Sequence, residues 1–120
     1  MIQTHGLTHI NLEVADPQIS LNFYETLFGV KEYFRDENSI QALGPGDKDV
    51  LAFVKSERAG KSGGISHFGF RLRDPADIDD AIAQAKRAGA KILRTGEFSP
   101  GFPYMYMLDP DGYEIEVWYE

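Results

Sequence analysis

The stretch LDPDGYEIEVWYE, Leu108 to Glu120, combines a tight turn with an alternating strand. Proline fixes φ early in the segment DPDG, Asp109 to Gly112, and the glycine that follows relieves the turn. Beyond it, aliphatic residues alternate with polar or aromatic ones, as in a half-buried strand: Ile115 and Val117 on one face, Glu114, Glu116 and Trp118 on the other. The strand therefore carries the carboxylate of Glu116 onto the face opposite its aliphatic side chains.

Length and composition indicate one folded domain without thiol chemistry. The chain has 120 residues, the length of a single domain, and its 42% hydrophobic content excludes a disordered chain. It contains no cysteine, which excludes a disulfide framework, a zinc-thiolate site and a thiol nucleophile. Any metal ion must therefore be held by nitrogen and oxygen ligands.

Charge and hydropathy patterning restrict the partners. The net charge is −7, from 19 acidic and 12 basic residues, and this balance repels nucleic acid and anionic membrane surfaces. The N-terminal residues MIQTHGLTHINLEV lack a basic region followed by an apolar stretch, and no apolar run approaches membrane-spanning length. We therefore expect a cytoplasmic protein that binds neither nucleic acid nor membranes.

The chain contains an internal repeat. Thr8-His9-Ile10 matches Ser66-His67-Phe68, and Asp16-Pro17 matches Asp74-Pro75 at the same separation along the chain. Each copy predicts a strand, a helix and three further strands. The predicted strands are 7–14, 31–35, 39–43 and 49–54 in the first copy and 65–72, 91–95, 104–108 and 113–119 in the second. The helices begin at the two Asp-Pro pairs and end at Gly29 and Gly89.

This order predicts an α+β fold with two tandem βαβββ modules. We expect curved mixed sheets with the helices on their outer faces. Residues 1–120 form one domain, with module one at about 5–55, a polar glycine-containing linker at about 56–64 and module two at about 65–120.

Three residues on the predicted polar strand faces form a candidate metal site. His9 and His67 occupy equivalent positions in the repeat, and Glu116 lies on the last strand. Two imidazoles and one carboxylate suit Fe, Mn, Ni, Co or Zn with open coordination positions. The alternative is structural: strand histidines bonded to the backbone, and a carboxylate on a solvated strand face.

The repeat and three motifs resemble the vicinal oxygen chelate superfamily. These motifs are LTHINLEVADPQISLNFYETLFGV, SHFGFRL and DPDGYEIEV, and the resemblance extends from Leu7 to Val117. The superfamily includes glyoxalase I, fosfomycin resistance enzymes, extradiol dioxygenases and bleomycin resistance proteins. The resemblance implies that His9, His67 and Glu116 bind one divalent metal ion and that the chain forms a homodimer, with each site completed within or across chains.

Departures from the family patterns narrow the expected activity. Glyoxalase I has a fourth ligand, a glutamate, where this chain has Ala52, and the sequence ends at Glu120 without the basic tail of fosfomycin resistance enzymes. Extradiol dioxygenases use a nearby His or Tyr for proton transfer, and Tyr104 and Tyr106 are the candidate catalytic residues here. Bleomycin-type binders lack the metal ligands.

The sequence thus predicts a divalent-metal enzyme acting on a small substrate with vicinal oxygens. We expect a lyase or isomerase; the alternatives are an extradiol-type dioxygenase using iron(II) and a metal-free small-molecule binding or resistance protein. Asn11, Arg71 and Trp118 are candidate substrate-binding residues, because the first two share faces with the histidines and the third shares a face with Glu116.

Overall fold

The computed structural model describes residues 1–120, which divide into two compact units, Met1–Gly60 and Lys61–Glu120. The first unit contains β1 (His9–Val14), α1 (Pro17–Phe28), β2 (Lys31–Arg35), β3 (Ser39–Leu43) and β4 (Val50–Lys55). The second contains β5 (Phe68–Arg71), a 3₁₀ turn (Pro75–Asp77), α2 (Ile78–Arg87), β6 (Lys91–Glu97), β7 (Pro103–Leu108) and β8 (Glu114–Trp118). Neither helix has the length and apolar character needed to span a lipid bilayer.

Helix α1 begins and ends where its capping residues predict. The Asp16 carboxylate accepts hydrogen bonds from the backbone N–H groups of Gln18 and Ile19, and Pro17 occupies the first turn. At the other end, Gly29 adopts the left-handed conformation, with φ of 65°, and its N–H donates to the Glu25 carbonyl. Two local signals in the sequence therefore determine the length of this helix.

Both units have the same sheet topology. The strand order is β1-β4-β3-β2 in the first sheet and β5-β8-β7-β6 in the second. In each sheet the first and last strands of the module pair in parallel, while the other neighbours are antiparallel. The α+β prediction of two βαβββ modules is confirmed.

Each helix packs on one face of its sheet. In the first unit α1 contacts β3 and β4, and the Tyr24 and Phe53 rings lie 5.2 Å apart at the centre of the buried layer. In the second unit α2 contacts β6 and β7, and Ala85 is buried. The strands contribute Met105, Met107, Ile115 and Val117 to the buried layer of that unit. The polar residues of the alternating strands lie on the opposite face of each sheet.

Strand β5 is shorter than the sequence predicts, because it begins at Phe68 instead of residue 65. Gly63 and Gly64 have positive φ values of 61° and 100°, and the Ile65 N–H donates to the Ser62 carbonyl. These residues form a turn, which takes the backbone out of the extended conformation. His67 therefore lies immediately before the strand.

The strands β2 and β6 contain a β-bulge at the same position in the two copies. The register with the neighbouring strand shifts between Glu32 and Phe34 in β2 and between Ile92 and Arg94 in β6. An extra residue in a strand reverses the faces of the residues that follow it. In β6 the bulge places Arg94 opposite Tyr106.

Removal of the α1 N-cap should destabilise the first unit. We expect Asp16→Ala to lower the free energy of unfolding by about 1 kcal/mol, because two backbone N–H groups lose their acceptor. Asp16→Asn should recover most of this loss, since the amide oxygen accepts the same bonds. Urea denaturation measures both variants, and equal stabilities for Asp16→Ala and Asp16→Asn would contradict the capping role.

Candidate functional site

The polar face of the second sheet brings together most of the predicted site residues. In the strand register, Glu116 lies between Gly69 of β5 and Tyr106 of β7, and Trp118 lies between Arg71 and Tyr104. Cross-strand partners point to the same face of a sheet. The neighbours of Glu116 along β8, Ile115 and Val117, are buried on the other face and fix this orientation.

The two carboxylate oxygens of Glu116 have different partners. Oε1 accepts a hydrogen bond of 2.7 Å from the Tyr106 hydroxyl, while Oε2 lies 3.3 Å from Nε2 of His67. The Glu116 side chain is 12% exposed, so that little solvent competes for these contacts. One oxygen therefore accepts a hydrogen bond from a phenol, and the other lies beside an imidazole nitrogen.

His67 is held at both sides of its ring. Its Nδ1 lies 2.7 Å from the Ser66 hydroxyl, and its ring packs edge-on against Tyr106, with centroids 5.2 Å apart. The Nε2 atom of His67 consequently faces the Glu116 carboxylate.

His9 lies in the first unit with a similar local contact. Its Nδ1 is 3.1 Å from the Thr8 hydroxyl, and its side chain is exposed at the start of β1. Asn11 pairs with Ala52 in the parallel register, just as Gly69 pairs with Glu116 in the second unit. Ala52 therefore occupies the position in the first unit that Glu116 occupies in the second.

The donor atoms of the second unit fit a divalent metal ion. Two ligands that each lie about 2.1 Å from one ion are separated by about 3.0–3.4 Å at octahedral or tetrahedral angles. The 3.3 Å between His67 Nε2 and Glu116 Oε2 falls within this range. Neither unit by itself groups three histidine or acidic side chains as metal ligands, so the pair is a partial ligand set.

Arg94 joins this network, although the sequence analysis did not single it out. Its guanidinium lies 3.8 Å from the Tyr106 ring centroid and 3.0 Å from Oε1 of Glu114. The contact with the ring follows from the bulge in β6, which regular strand alternation does not predict. The sequence patterns also did not identify the hydroxyls of Thr8 and Ser66 as part of the site. Each of these residues directly precedes one of the two repeat-related histidines, and this shared position could have indicated their role.

The environment of Tyr106 raises the pKa of its phenol above the ordinary value of 10.0. The hydrogen bond to Glu116 is the main cause, and burial and the negative charge of the same carboxylate act in the same direction. Arg94 opposes them, because a nearby cation favours the phenolate. Tyr106 is therefore a hydrogen-bond donor to Glu116 throughout the neutral pH range.

The remaining predicted residues of the second unit lie on the same sheet face as Glu116. The Tyr104 ring stacks on Phe98 with centroids 4.4 Å apart, and Phe98 also contacts Trp118 edge-on. Arg71, on the same sheet face, forms an exposed ion pair with Glu120. Asn11 is exposed in the first unit. The second unit thus places an aromatic cluster beside the histidine–carboxylate pair.

Comparisons with known proteins agree on one group. Residues 6–117 match the family model described as Glyoxalase/Bleomycin resistance protein/Dioxygenase superfamily. An uncharacterized Pseudomonas aeruginosa protein, PA2024, is 31% identical over 94% of this chain and 87% of its own length.

Two solved structures share the fold at low sequence identity. The first is the Listeria monocytogenes fosfomycin resistance protein FosX, as a variant complexed with Mn(II) and a dihydroxypropylphosphonic acid. It has a TM-score of 0.82 and 19% identity, and the match covers 96% of this chain and 90% of that one. The second is lactoylglutathione lyase from Agrobacterium tumefaciens, with a TM-score of 0.75, 16% identity, and coverage of 97% and 94%.

The raised pKa of Tyr106 predicts an alkaline pH dependence. Its hydrogen bond should contribute to folding stability fully below the ordinary pKa of 10.0, and this contribution should be lost as the pH rises through the folded-state value. Glu116→Gln removes the carboxylate that is the main cause, so the pKa of Tyr106 should fall. NMR titration of ¹³Cζ-labelled tyrosines, assigned with Tyr106→Phe, measures the shift; identical Tyr106 titrations in wild type and Glu116→Gln would contradict it.

Proposed function

The chain belongs to the Glyoxalase/Bleomycin resistance protein/Dioxygenase superfamily, and on that premise we propose that it is a divalent-metal-dependent enzyme. The substrate is a small molecule with two neighbouring oxygen atoms, and the reaction is of the lyase or isomerase type. The observation that carries the proposal is the His67–Glu116 pair, whose donor atoms lie 3.3 Å apart on the polar face of the second sheet. The family resemblance of the sequence motifs is confirmed by the match over residues 6–117.

His9, His67 and Glu116 are the proposed ligands of one Fe, Mn, Ni, Co or Zn ion. Two neutral imidazoles and one carboxylate reduce the charge of a divalent ion to +1 and leave coordination positions for substrate oxygens. When bound, such an ion supplies Lewis acidity that stabilises an oxyanion or enolate. The separation of the His67 and Glu116 donors, within the range expected for two ligands of one ion, supports this assignment.

The protein's own residues would bind and orient the substrate. The hydroxyl of Tyr106 donates to Glu116 and that of Tyr104 lies over Gly96, and both tyrosines are the proposed groups for proton transfer to the substrate. Trp118 and Tyr104 form a wall against which an apolar part of the substrate would pack. Arg71 would pair with an anionic group only after release from Glu120, and Asn11 remains a proposed hydrogen-bonding residue.

The two solved structures named above are one with a bound metal ion and one of a lyase. The FosX structure contains Mn(II) with a phosphonic acid that carries two hydroxyl groups, and the second relative is a lactoylglutathione lyase. These descriptions apply to those proteins, and at below 25% identity the likeness to them is one of fold. They make a metal-assisted reaction a reasonable first assay for this chain.

The aromatic cluster favours a second candidate function, that of an extradiol-type dioxygenase using iron(II). Phe98 contacts both Tyr104 and Trp118 on the sheet face of Glu116, and such a surface suits a planar aromatic substrate. The identity of the bound metal separates the two candidates. Iron would direct assays to catechols and oxygen consumption, whereas nickel, manganese, cobalt or zinc would direct them to isomerisation and thiol adducts.

Metal content tests the proposed site directly. Protein purified without a His-tag or chelator should contain nearly one divalent ion per chain, and Glu116→Ala should lose it. Glu114→Ala is a matched control, because this residue lies on the same strand and face but pairs with Arg94. Elemental analysis measures all three proteins.

The outcome that contradicts the enzyme proposal is a wild-type protein without metal. The contradiction also requires that this protein takes up no iron, manganese, nickel, cobalt or zinc on titration. It would instead be a metal-free binding or resistance protein, in which His67→Ala leaves ligand affinity intact.

We further propose that the protein is a homodimer, and mixed dimers test how its chains supply the ligands. His9→Ala and Glu116→Ala each remove one proposed ligand, His9 from the first unit and Glu116 from the second. If each site takes its two units from different chains, mixing the variants should restore one intact site per mixed dimer. Sites built within single chains would remain empty after mixing. Light scattering establishes the dimer, and elemental analysis of the mixture measures the restored sites.

The cytoplasmic location of the protein stays a prediction.

A further inference from the structure

In each proposed metal ligand, a hydroxyl group contacts the side-chain atom that would not bind the ion. The Thr8 hydroxyl is 3.1 Å from Nδ1 of His9, the Ser66 hydroxyl is 2.7 Å from Nδ1 of His67, and the Tyr106 hydroxyl is 2.7 Å from Oε1 of Glu116. We propose that these three hydroxyls, the hydroxyl shell, are positioning groups that hold the ligands in metal-binding geometry before the ion binds. The inference rests on the proposed metal site.

The two histidines share one local device, repeated with the module. In each copy the hydroxyl belongs to the residue immediately before the histidine, Thr8 or Ser66, so that the contact forms without help from another element. In the tautomer with a proton on Nδ1, the hydroxyl accepts the Nδ1–H hydrogen bond and Nε2 carries the lone pair. That tautomer is the one that binds a metal ion through Nε2.

For His67, the outer contact also sets the direction of the ring. With Nδ1 directed to Ser66, the opposite ring nitrogen lies beside Oε2 of Glu116, and the edge of the ring rests against Tyr106. Rotation of the imidazole would break the Ser66 bond and the aromatic contact together. The ring is therefore oriented by two neighbours, neither of which is a ligand.

Tyr106 plays the corresponding role for the carboxylate. It is the cross-strand partner of Glu116, its side chain is buried, and Arg94 lies over its ring at 3.8 Å. The phenol donates to Oε1 and thereby occupies one carboxylate oxygen, while Oε2 is the oxygen beside His67. The arrangement favours binding of an ion through one oxygen of Glu116.

The expected effect of the hydroxyl shell is on metal affinity. Loss of an outer partner of a metal ligand typically weakens metal binding about 10- to 100-fold, because the ligand must then be ordered when the ion binds. We expect weakening within this range for Thr8→Val, Ser66→Ala and Tyr106→Phe. The dissociation constant for manganese(II), titrated into metal-free protein and followed by the EPR signal of the free ion, measures it; a parallel zinc(II) titration uses a competing chromophoric chelator.

The chain offers matched controls for each substitution. Thr8→Ser and Ser66→Thr exchange the two hydroxyl residues that the repeat itself uses, and both should bind metal within about twofold of wild type. Tyr104→Phe removes a phenol hydroxyl from the same strand and face as Tyr106, but that hydroxyl lies over Gly96 and not at a ligand. It should leave metal affinity unchanged. Unfolding midpoints of the metal-free Thr8 and Ser66 variants should match wild type and exclude a general loss of structure, whereas Tyr106→Phe should be less stable because it loses the hydrogen bond to Glu116.

The outcomes separate this inference from the proposed function. Wild type that binds metal, together with hydroxyl-less variants that bind it within about twofold, would overturn the hydroxyl shell and leave the metal site intact. Equal weakening by Tyr104→Phe and Tyr106→Phe would also overturn it. A wild-type protein that binds neither ion would remove both proposals. If Tyr106→Phe does not fold, the exposed Ser66→Ala and Ser66→Thr pair decides the question.

Discussion

The register of β8 between β5 and β7 is the constraint on which the second unit depends. Ile115 and Val117 are buried on the helix-covered face, and the alternation of the strand then directs Glu116 to the other face. A slip by one residue would bury the carboxylate and expose the aliphatic side chains. Hydrophobic burial therefore fixes the position of Glu116 in the row that also contains Gly69 and Tyr106. The site geometry is in this sense a product of core packing.

The same constraint operates in the first unit with a different chemical result. Strand β4 lies between β1 and β3, and its register places Ala52 in the row of Asn11 and Gln41. Since Ala52 is the counterpart of Glu116, the repeated topology carries a carboxylate in only one of its two copies at this position. The side chains of Ala52 and Glu116 therefore point in equivalent directions in the two units. The units differ chemically at this position because one has a methyl group and the other a carboxylate.

The sequence predicted those features that depend on local or periodic signals. The α+β fold, the capped helix α1 and the orientation of Glu116 follow from Asp-Pro pairs, glycines and strand alternation, and the structure contains them. Arg94 could not be placed in this way, because uninterrupted alternation would put it on the core face. The bulge reverses that assignment. The sequence also could not predict that one Glu116 oxygen contacts Tyr106 and the other His67, because a pattern of residue types contains no interatomic distances.

The two bulges have a consequence for how the chain behaves at high concentration. Strands β2 and β6 lie at an edge of their sheets, where unpaired backbone groups would accept a strand from another molecule. An extra residue in each of them interrupts the regular spacing of those groups and increases the local twist. Both copies of the module thereby carry an irregular outer edge that is a poor template for strand addition. The irregularity that brings Arg94 to Tyr106 also makes the β6 edge a poor partner for strand addition.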